Sequence, residues 1–350
     1  MKRTVMVLVM LLTSAGCSAL AQQRALSTYG YVDLEFEATT KEGTHSTFDI
    51  HHFNVINTFR LDEHFRVFSE VEWEHGVDFS GSSGLGEIRL ERAWVEYKYS
   101  DALKVRAGKF LTPYGIYNLL HDATPTFLST FLPTSIYGKH RNPLGGKQRF
   151  YPKFASGVQV VGTYFYEDWK LDYSAYVANG RGRDPYKADD NHNKALGGRV
   201  IVGFPGESLE VGTSYFTERN GTADHARQHG FGFDAAFDHA AGLQLKSEAA
   251  FSRLERVDPD GAGTGVFQKA LGVYGQAAYT LADRLTPFVR YDYFDPNTDR
   301  ADDEEIDVTL GVNFSATARV YLKTEVHFKH FRNDDVASYT LFVSSVAVAF

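Results

Sequence analysis

Few residues of this 350-residue chain that could do covalent or metal chemistry are spaced so as to do it. Ser82 and Ser83 lie in Gly-Ser-Ser-Gly-Leu-Gly, which lacks the Gly-x-Ser-x-Gly frame of a nucleophile turn and reads as a flexible loop. His51 and His52 are adjacent in a strand-like run, so they are expected on opposite faces and unable to chelate together. His225 and His229 have the i,i+4 spacing that binds metal on a helix, but they fall between a loop and a strand start. Asp295-Pro-Asn297-Thr-Asp299 begins like a calcium loop, yet Arg300 stands where Gly is needed and Ile306 where the bidentate Glu belongs. No cofactor or metal is therefore expected. The side chains that stand out are cationic: Lys139, Arg141, Lys147, Arg149 and Lys153 oppose one acid, Asp122, a local charge of +4 within residues 111–153. Beside a narrow aqueous passage such a cluster would concentrate anions. On a solvated loop it would meet an anionic lipid surface or nothing.

The segment that carries these cations is itself unusual. Residues 111–153 hold five of the ten prolines, seven aromatics and no sustained period. A loop this long is either functional or disordered, and its aromatic content argues against disorder.

The N-terminus places the chain outside the cytoplasm. Lys2 and Arg3 precede an apolar run, Val5–Leu12, followed by Ala19-Leu20-Ala21, the layout of a cleaved signal peptide over residues 1–21. Ser14-Ala15-Gly16-Cys17 offers a competing lipoprotein-type site; the A-x-A pattern favours cleavage after Ala21, which removes the only cysteine. Residues 22–350 then form one domain. Without Lys2 and Arg3, 34 basic residues face 44 acidic ones, a net charge of −10, and nothing suggests nucleic-acid binding.

The elements that must position the cations are strands. Apolar and polar residues alternate through sixteen runs: 28–38, 48–61, 65–75, 86–100, 103–110, 154–167, 169–179, 194–204, 209–219, 229–238, 243–255, 267–281, 285–294, 305–315, 318–330 and 339–350. Short turns and longer loops separate them in strict alternation. The pattern predicts an all-β fold, a 16-stranded antiparallel transmembrane β-barrel with short periplasmic turns and a long third extracellular loop, residues 111–153. A barrel of this size encloses water.

The faces follow from charge. Ile306, Val308, Leu310, Val312 and Phe314 alternate with Asp307, Thr309, Gly311 and Asn313, and the polar set is expected in the lumen, since Lys or Arg on the lipid face costs roughly 2–4 kcal/mol at the midplane. On that logic Arg60, Arg66, Arg92, Lys98, Lys104 and Arg106, with Glu70, Glu72, Glu74 and Glu96, face inward. They are expected as a basic arc opposite an acidic arc. Thr124-Pro125 is expected to start a short helix, ended by Pro133, whose stripe Phe127, Leu128, Phe131 and Leu132 packs on the inner wall or on a neighbouring subunit. Tyr97, Tyr99, Tyr164, Tyr166, Tyr291 and Tyr293 fit interfacial girdles. The last run alternates and ends on Phe350, which resembles the signal that directs barrels into an outer membrane.

Gly108-Lys109-Phe110-Leu111-Thr112-Pro113-Tyr114-Gly115, with the preceding Glu91-Arg92-Ala93-Trp94-Val95-Glu96-Tyr97, is similar to the stretch before the constriction loop in the phosphate-selective porin O and P family. Strand number and loop position also resemble general bacterial porins. The resemblance implies a homotrimeric water-filled channel in a Gram-negative outer membrane. Lipids and lipopolysaccharide would surround it, and small hydrophilic solutes, anions among them, would diffuse through. The acids beside the wall cations depart from the basic ladder of a dedicated phosphate channel. An outer-membrane enzyme and an adhesion or structural barrel stay open as alternatives.

Overall fold

Alternation at this length leaves a chain two faces to satisfy, and closure of the sheet satisfies both without an unpaired edge. A computed structural model describes residues 25–76, 86–121, 123–141, 147–180, 189, 192–206, 208–220, 226–258, 263–333 and 336–350. Residues 1–24 with Cys17, and Ser82, Ser83, Asp122 and His225, lie outside these residues.

Sixteen strands close one antiparallel barrel. They are β1 (Ala25–Thr39), β2 (Thr47–Arg60), β3 (Phe65–Glu74), β4 (Glu87–Lys98), β5 (Lys104–Leu111), β6 (Phe154–Tyr166), β7 (Trp169–Asn179) and β8 (Lys194–Gly203). The second half comprises β9 (Leu209–Asn220), β10 (Ala226–Asp238), β11 (Leu243–Val257), β12 (Gly263–Tyr279), β13 (Leu285–Asp295), β14 (Glu305–Ser315), β15 (Val320–Phe331) and β16 (Tyr339–Ala349). Each strand pairs with its chain neighbours, and β1 pairs with β16 from Tyr31↔Ala349 to Thr39↔Leu341. Backbone bonds between Gly30 and Phe350, 3.0 and 2.9 Å, extend that seam. Phe350 also stacks on Phe53 at 5.8 Å.

The faces separate as charge requires. Leu310, Val312, Phe314, Leu322 and Phe328 are exposed on the outside, whereas Asp307, Thr309, Asn313, Lys323, Glu325 and His327 are buried inside. Tyr97, Tyr99, Tyr164 and Tyr166 are exposed on the outer face close to short turns.

Among the described residues the pairing register shifts at three places, one of them between Glu255 and Val257, and the other two bear on the barrel interior. On β2, Asp33 opposes His52 while Leu34 opposes Ile50, so His51 is the extra residue. A bulge turns two consecutive side chains to one side, and both rings stack inside the barrel at 4.0 Å. The expectation that His51 and His52 occupy opposite faces is thus corrected. On β4, Glu70 opposes Arg92 and Val71 opposes Leu90, leaving Glu91 as the extra residue; it too is buried.

Candidate functional site

The described residues of the segment 112–153 leave the end of β5 and cross the barrel interior. The root of the segment is the Gly108–Gly115 motif. Gly108 has φ +137 and lies against the Ala93 carbonyl; Gly115 has φ +61 and lies against the Tyr137 hydroxyl and the Glu248 carboxylate. Neither position admits a Cβ. Asn118 Nδ2 donates to the carbonyls of Thr112, 2.7 Å, and Lys153, 3.1 Å, closing the neck of the segment. Tyr114 donates to the Phe231 carbonyl at 2.9 Å and stacks on Tyr151 at 4.5 Å.

Three wall carboxylates hold the segment. Glu248 on β11 accepts from the hydroxyls of Tyr137, 2.8 Å, and Tyr274, 2.6 Å, and from the Ile116 N–H, 3.1 Å. Asp292 on β13 accepts from the N–H groups of Thr134, 2.6 Å, and Ser135, 3.1 Å, at the start of a one-turn helix, Thr134–Tyr137. Glu325 on β15 accepts from the N–H groups of Thr130, 3.2 Å, and Phe131, 3.1 Å. Charge-assisted bonds of this kind are about twice as strong as neutral ones. Around them Tyr114, Tyr117, Phe127, Ile136, Tyr137, Phe150 and Tyr151 form an apolar core with wall residues Phe216, Tyr274 and Phe294.

The expected helix after Thr124 is corrected here. Thr124–Thr126 is a single 3₁₀ turn, and Phe127 is extended at φ −102, ψ 149. The wall outcompetes helical bonds. Glu325 takes the N–H groups of Thr130 and Phe131, and the Asn313 amide donates to the carbonyls of Phe127 and Leu128 at 3.1 and 3.2 Å. Phe127 nevertheless packs inside the barrel, as the apolar stripe required.

Since the segment is fastened to β9–β16, space remains between it and β2–β5. This 840 Å³ cavity is lined from the segment by Lys139, Arg149 and Lys153, and from the wall by Arg89, Lys109, Glu74, Glu87 and Glu91, with His51, His52, His75 and His121. Five cations there face three carboxylates. Arg149 donates to the Tyr137 carbonyl at 2.8 Å. Lys109 and Lys153 both lie over the Phe154 ring, at 4.6 and 5.2 Å. Desolvation in the cavity, and then Arg149, Arg89 and Lys153, holds Lys139 below the ordinary lysine range. Arg141 and Lys147 belong to a hairpin, His140–Arg141 with Lys147–Gln148; their backbone alone is described.

Of the wall residues picked from sequence, Glu74 lines this cavity; the others lie outside its lining and in a different arrangement. Arg66 and Arg106 both pair with Glu96, at 2.7 and 2.6 Å, and Arg92 pairs with Glu70. The three guanidinium groups also lie over Trp94 and Phe68 at 4.7–5.2 Å. Lys98 and Lys104 lie 2.6 and 3.8 Å from Asp101 in the β4–β5 turn. Glu72 accepts from Asn54 Nδ2 at 2.9 Å, and Glu74 pairs with Arg89 at 2.8 Å. The expected basic arc opposite an acidic arc is therefore corrected: these charges interleave on β3–β5 and neutralise one another. The missed cavity residues are Arg89, Lys109, Glu91 and the histidines. Their signal was a slip in alternation, since the outward apolar residues run Ile50, Phe53 and Leu90, Ala93, three apart instead of two.

Gly115→Ala is expected to undock the segment without opening the barrel. Its Cβ would displace Tyr137 and Glu248 at a position with positive φ, at a cost of roughly 2 kcal/mol or more. Faster proteolysis within residues 112–153, with unchanged heat-modifiable gel mobility, is the expected observation.

A family model described as Gram-negative porin matches residues 5–335. An uncharacterised protein of Aquifex aeolicus is 24% identical over 287 residues, 74% of this chain; the chain spans about 62% of that relative's length. Among solved structures, the anion-selective porin of Comamonas acidovorans is similar with a TM-score of 0.67 at 13% identity, covering 94% of this chain and 100% of that one. OmpF of Salmonella typhi gives 0.66 at 13%, covering 95% and 99%, and the trimer form of Vibrio cholerae OmpT gives 0.60 at 11%, covering 93% and 99%. At these identities the likeness is one of fold.

Proposed function

The chain belongs to the Gram-negative porin family, and on that premise we propose that its outer-membrane channel passes small hydrophilic solutes by passive diffusion with a moderate anion preference set where residues 112–153 face β2–β5. The observation that carries this reading is the excess of five cations over three carboxylates around the cavity. Lys139, Arg149 and Lys153 supply the loop side. Arg66, Arg92, Lys104 and Arg106 shape the wall in pairs with Glu96, Glu70 and Asp101 and add little net field, and Glu72 is held by Asn54. We assign Arg141 and Lys147 to the same loop rim on sequence position alone. Dedicated phosphate selectivity is not part of the proposal, because the acids Glu74, Glu87 and Glu91 share the lining. The reading is that of a channel and not of an enzyme or adhesin.

We also infer a homotrimer, supported by the trimer form described for the structurally similar OmpT. Light scattering on the detergent-solubilised protein tests it: a mass near three chains is expected, and a monodisperse monomer would contradict it.

Reversal potentials in a salt gradient test the anion preference. Because the cavity holds Lys139 below the usual lysine range, its charge is lost as pH rises through that lowered value, ahead of an ordinary lysine. The anion-to-cation ratio should therefore fall in moderately alkaline solution, before ordinary lysines titrate. The Lys139→Arg variant should keep its ratio there. A ratio equally pH-dependent in both proteins would remove Lys139 from the selectivity assignment.

A further inference from the structure

We propose that the barrel holds a divalent transition-metal site formed by His121 of the inward segment with Glu72 and Glu91 of the wall. One ligand-capable atom from each of the three lies within 4.8 Å of the others, and all three residues are buried. His121 Nε2 is 3.5 Å from Glu91 Oε2. Tetrahedral zinc, with bonds near 2.0–2.2 Å, separates neighbouring donors by about 3.3–3.5 Å. That pair thus already stands at the edge length of a zinc site.

Carboxylates dominate the surroundings of His121. Glu70, Glu72 and Glu91 are 0–1% exposed; Arg92 answers Glu70, and Asn54 donates to Glu72. Glu91 Oε2 makes no hydrogen bond although it is buried. Only the β4 bulge brings Glu91 inside; regular alternation would point it at lipid. Nδ1 of His121 faces Glu70 Oε1 and the Tyr31 hydroxyl, each at 3.5 Å, and Glu72 Oε2 at 3.8 Å, so carboxylates meet both ring nitrogens. His121 also has φ 55, ψ −146, a strained conformation for a residue other than glycine. Glu91 and His121 border the cavity, which gives an ion its path.

One imidazole and two carboxylates, without a thiolate, suit zinc or a similar borderline ion better than magnesium. The bound ion would tie the free side of the segment to β3 and β4, opposite the three carboxylate clamps. The site does not depend on the proposed ion selectivity, since its readout is binding. The test uses the full chain folded in detergent, stripped with a chelator and dialysed against micromolar zinc chloride with millimolar magnesium. Bound zinc is then counted. The folded protein is expected to hold one zinc that both His121→Gln and Glu91→Gln lose or bind at least roughly tenfold more weakly, each variant verified by heat-modifiable mobility. His51→Ala, in the adjacent Asp33–His51–His52 group, should keep it. No stoichiometric zinc in the folded wild type would overturn the site. Unchanged binding in the two Gln variants, or loss in His51→Ala, would overturn it equally.

Discussion

Replacing Lys139, Arg149 and Lys153 together by Gln is expected to lower the anion-to-cation permeability ratio roughly twentyfold in 0.1 M salt. A unit charge about 7 Å from a permeating ion contributes about 0.6 kcal/mol in water, and screening at a Debye length of about 10 Å reduces this to roughly half. Three such charges favour an anion by about 0.9 kcal/mol and disfavour a cation by as much, about 1.8 kcal/mol in the ratio. Removing them leaves Arg89 and Lys109 against Glu74, Glu87 and Glu91, so the sign of the lining inverts. In 1 M salt, where the Debye length is about 3 Å, the same substitution should change the ratio less than about twofold. Reversal potentials at the two concentrations check both parts. The comparison variant Arg66→Gln/Glu96→Gln should move the ratio little at either salt, because it removes one cation together with one carboxylate and leaves the net charge of the wall unchanged.

Glu248→Ala should have the second large effect, on the position of the segment. This one carboxylate joins Tyr137, Tyr274 and Ile116 at one point. Its loss leaves two buried hydroxyls and an N–H without that acceptor, at an expected cost of 3 kcal/mol or more at roughly 1–3 kcal/mol per group. The barrel itself depends on sixteen strand pairings that the substitution leaves untouched. Folded channels with higher mean conductance and larger open-channel noise are therefore expected in planar bilayers. Conductance and noise equal to wild type would mean that Asp292 and Glu325 suffice to hold the segment.

Strand number, closure and the position of the long segment were legible in the sequence, because lipid on one side and water on the other impose a period of two that few sequences meet by chance. Ile306 to Phe314 show how directly this works: each alternate residue sits on the face its polarity demands. The bulges at His51 and Glu91 were not read, although Ile50–Phe53 and Leu90–Ala93 carried their signature as a three-residue interval. Strict alternation was assumed where one extra residue had been inserted, and that hid both the second histidine and the inward Glu91. Pairing was illegible for another reason. Arg66, Arg106 and Glu96 lie far apart in the chain and meet only through the β3–β4–β5 register, so counting inward charges could not reveal that they cancel. The segment's conformation was likewise decided by the wall: Glu325 and Asn313 claimed the backbone groups that a helix at 124–132 would have used.

The most direct test of the central assignment, that the cations of residues 112–153 border the path of permeating ions, is charge modification during conduction. Cys17 is the only cysteine, so Lys139→Cys in a Cys17→Ala background offers one thiol. A negatively charged methanethiosulfonate added to open channels in a planar bilayer is expected to reduce the current in discrete steps and to shift the reversal potential toward cations, both reversed by a reducing agent. Unaltered current and reversal potential, with mass spectrometry proving that the thiol was modified, would place residue 139 outside the permeation path and contradict the assignment.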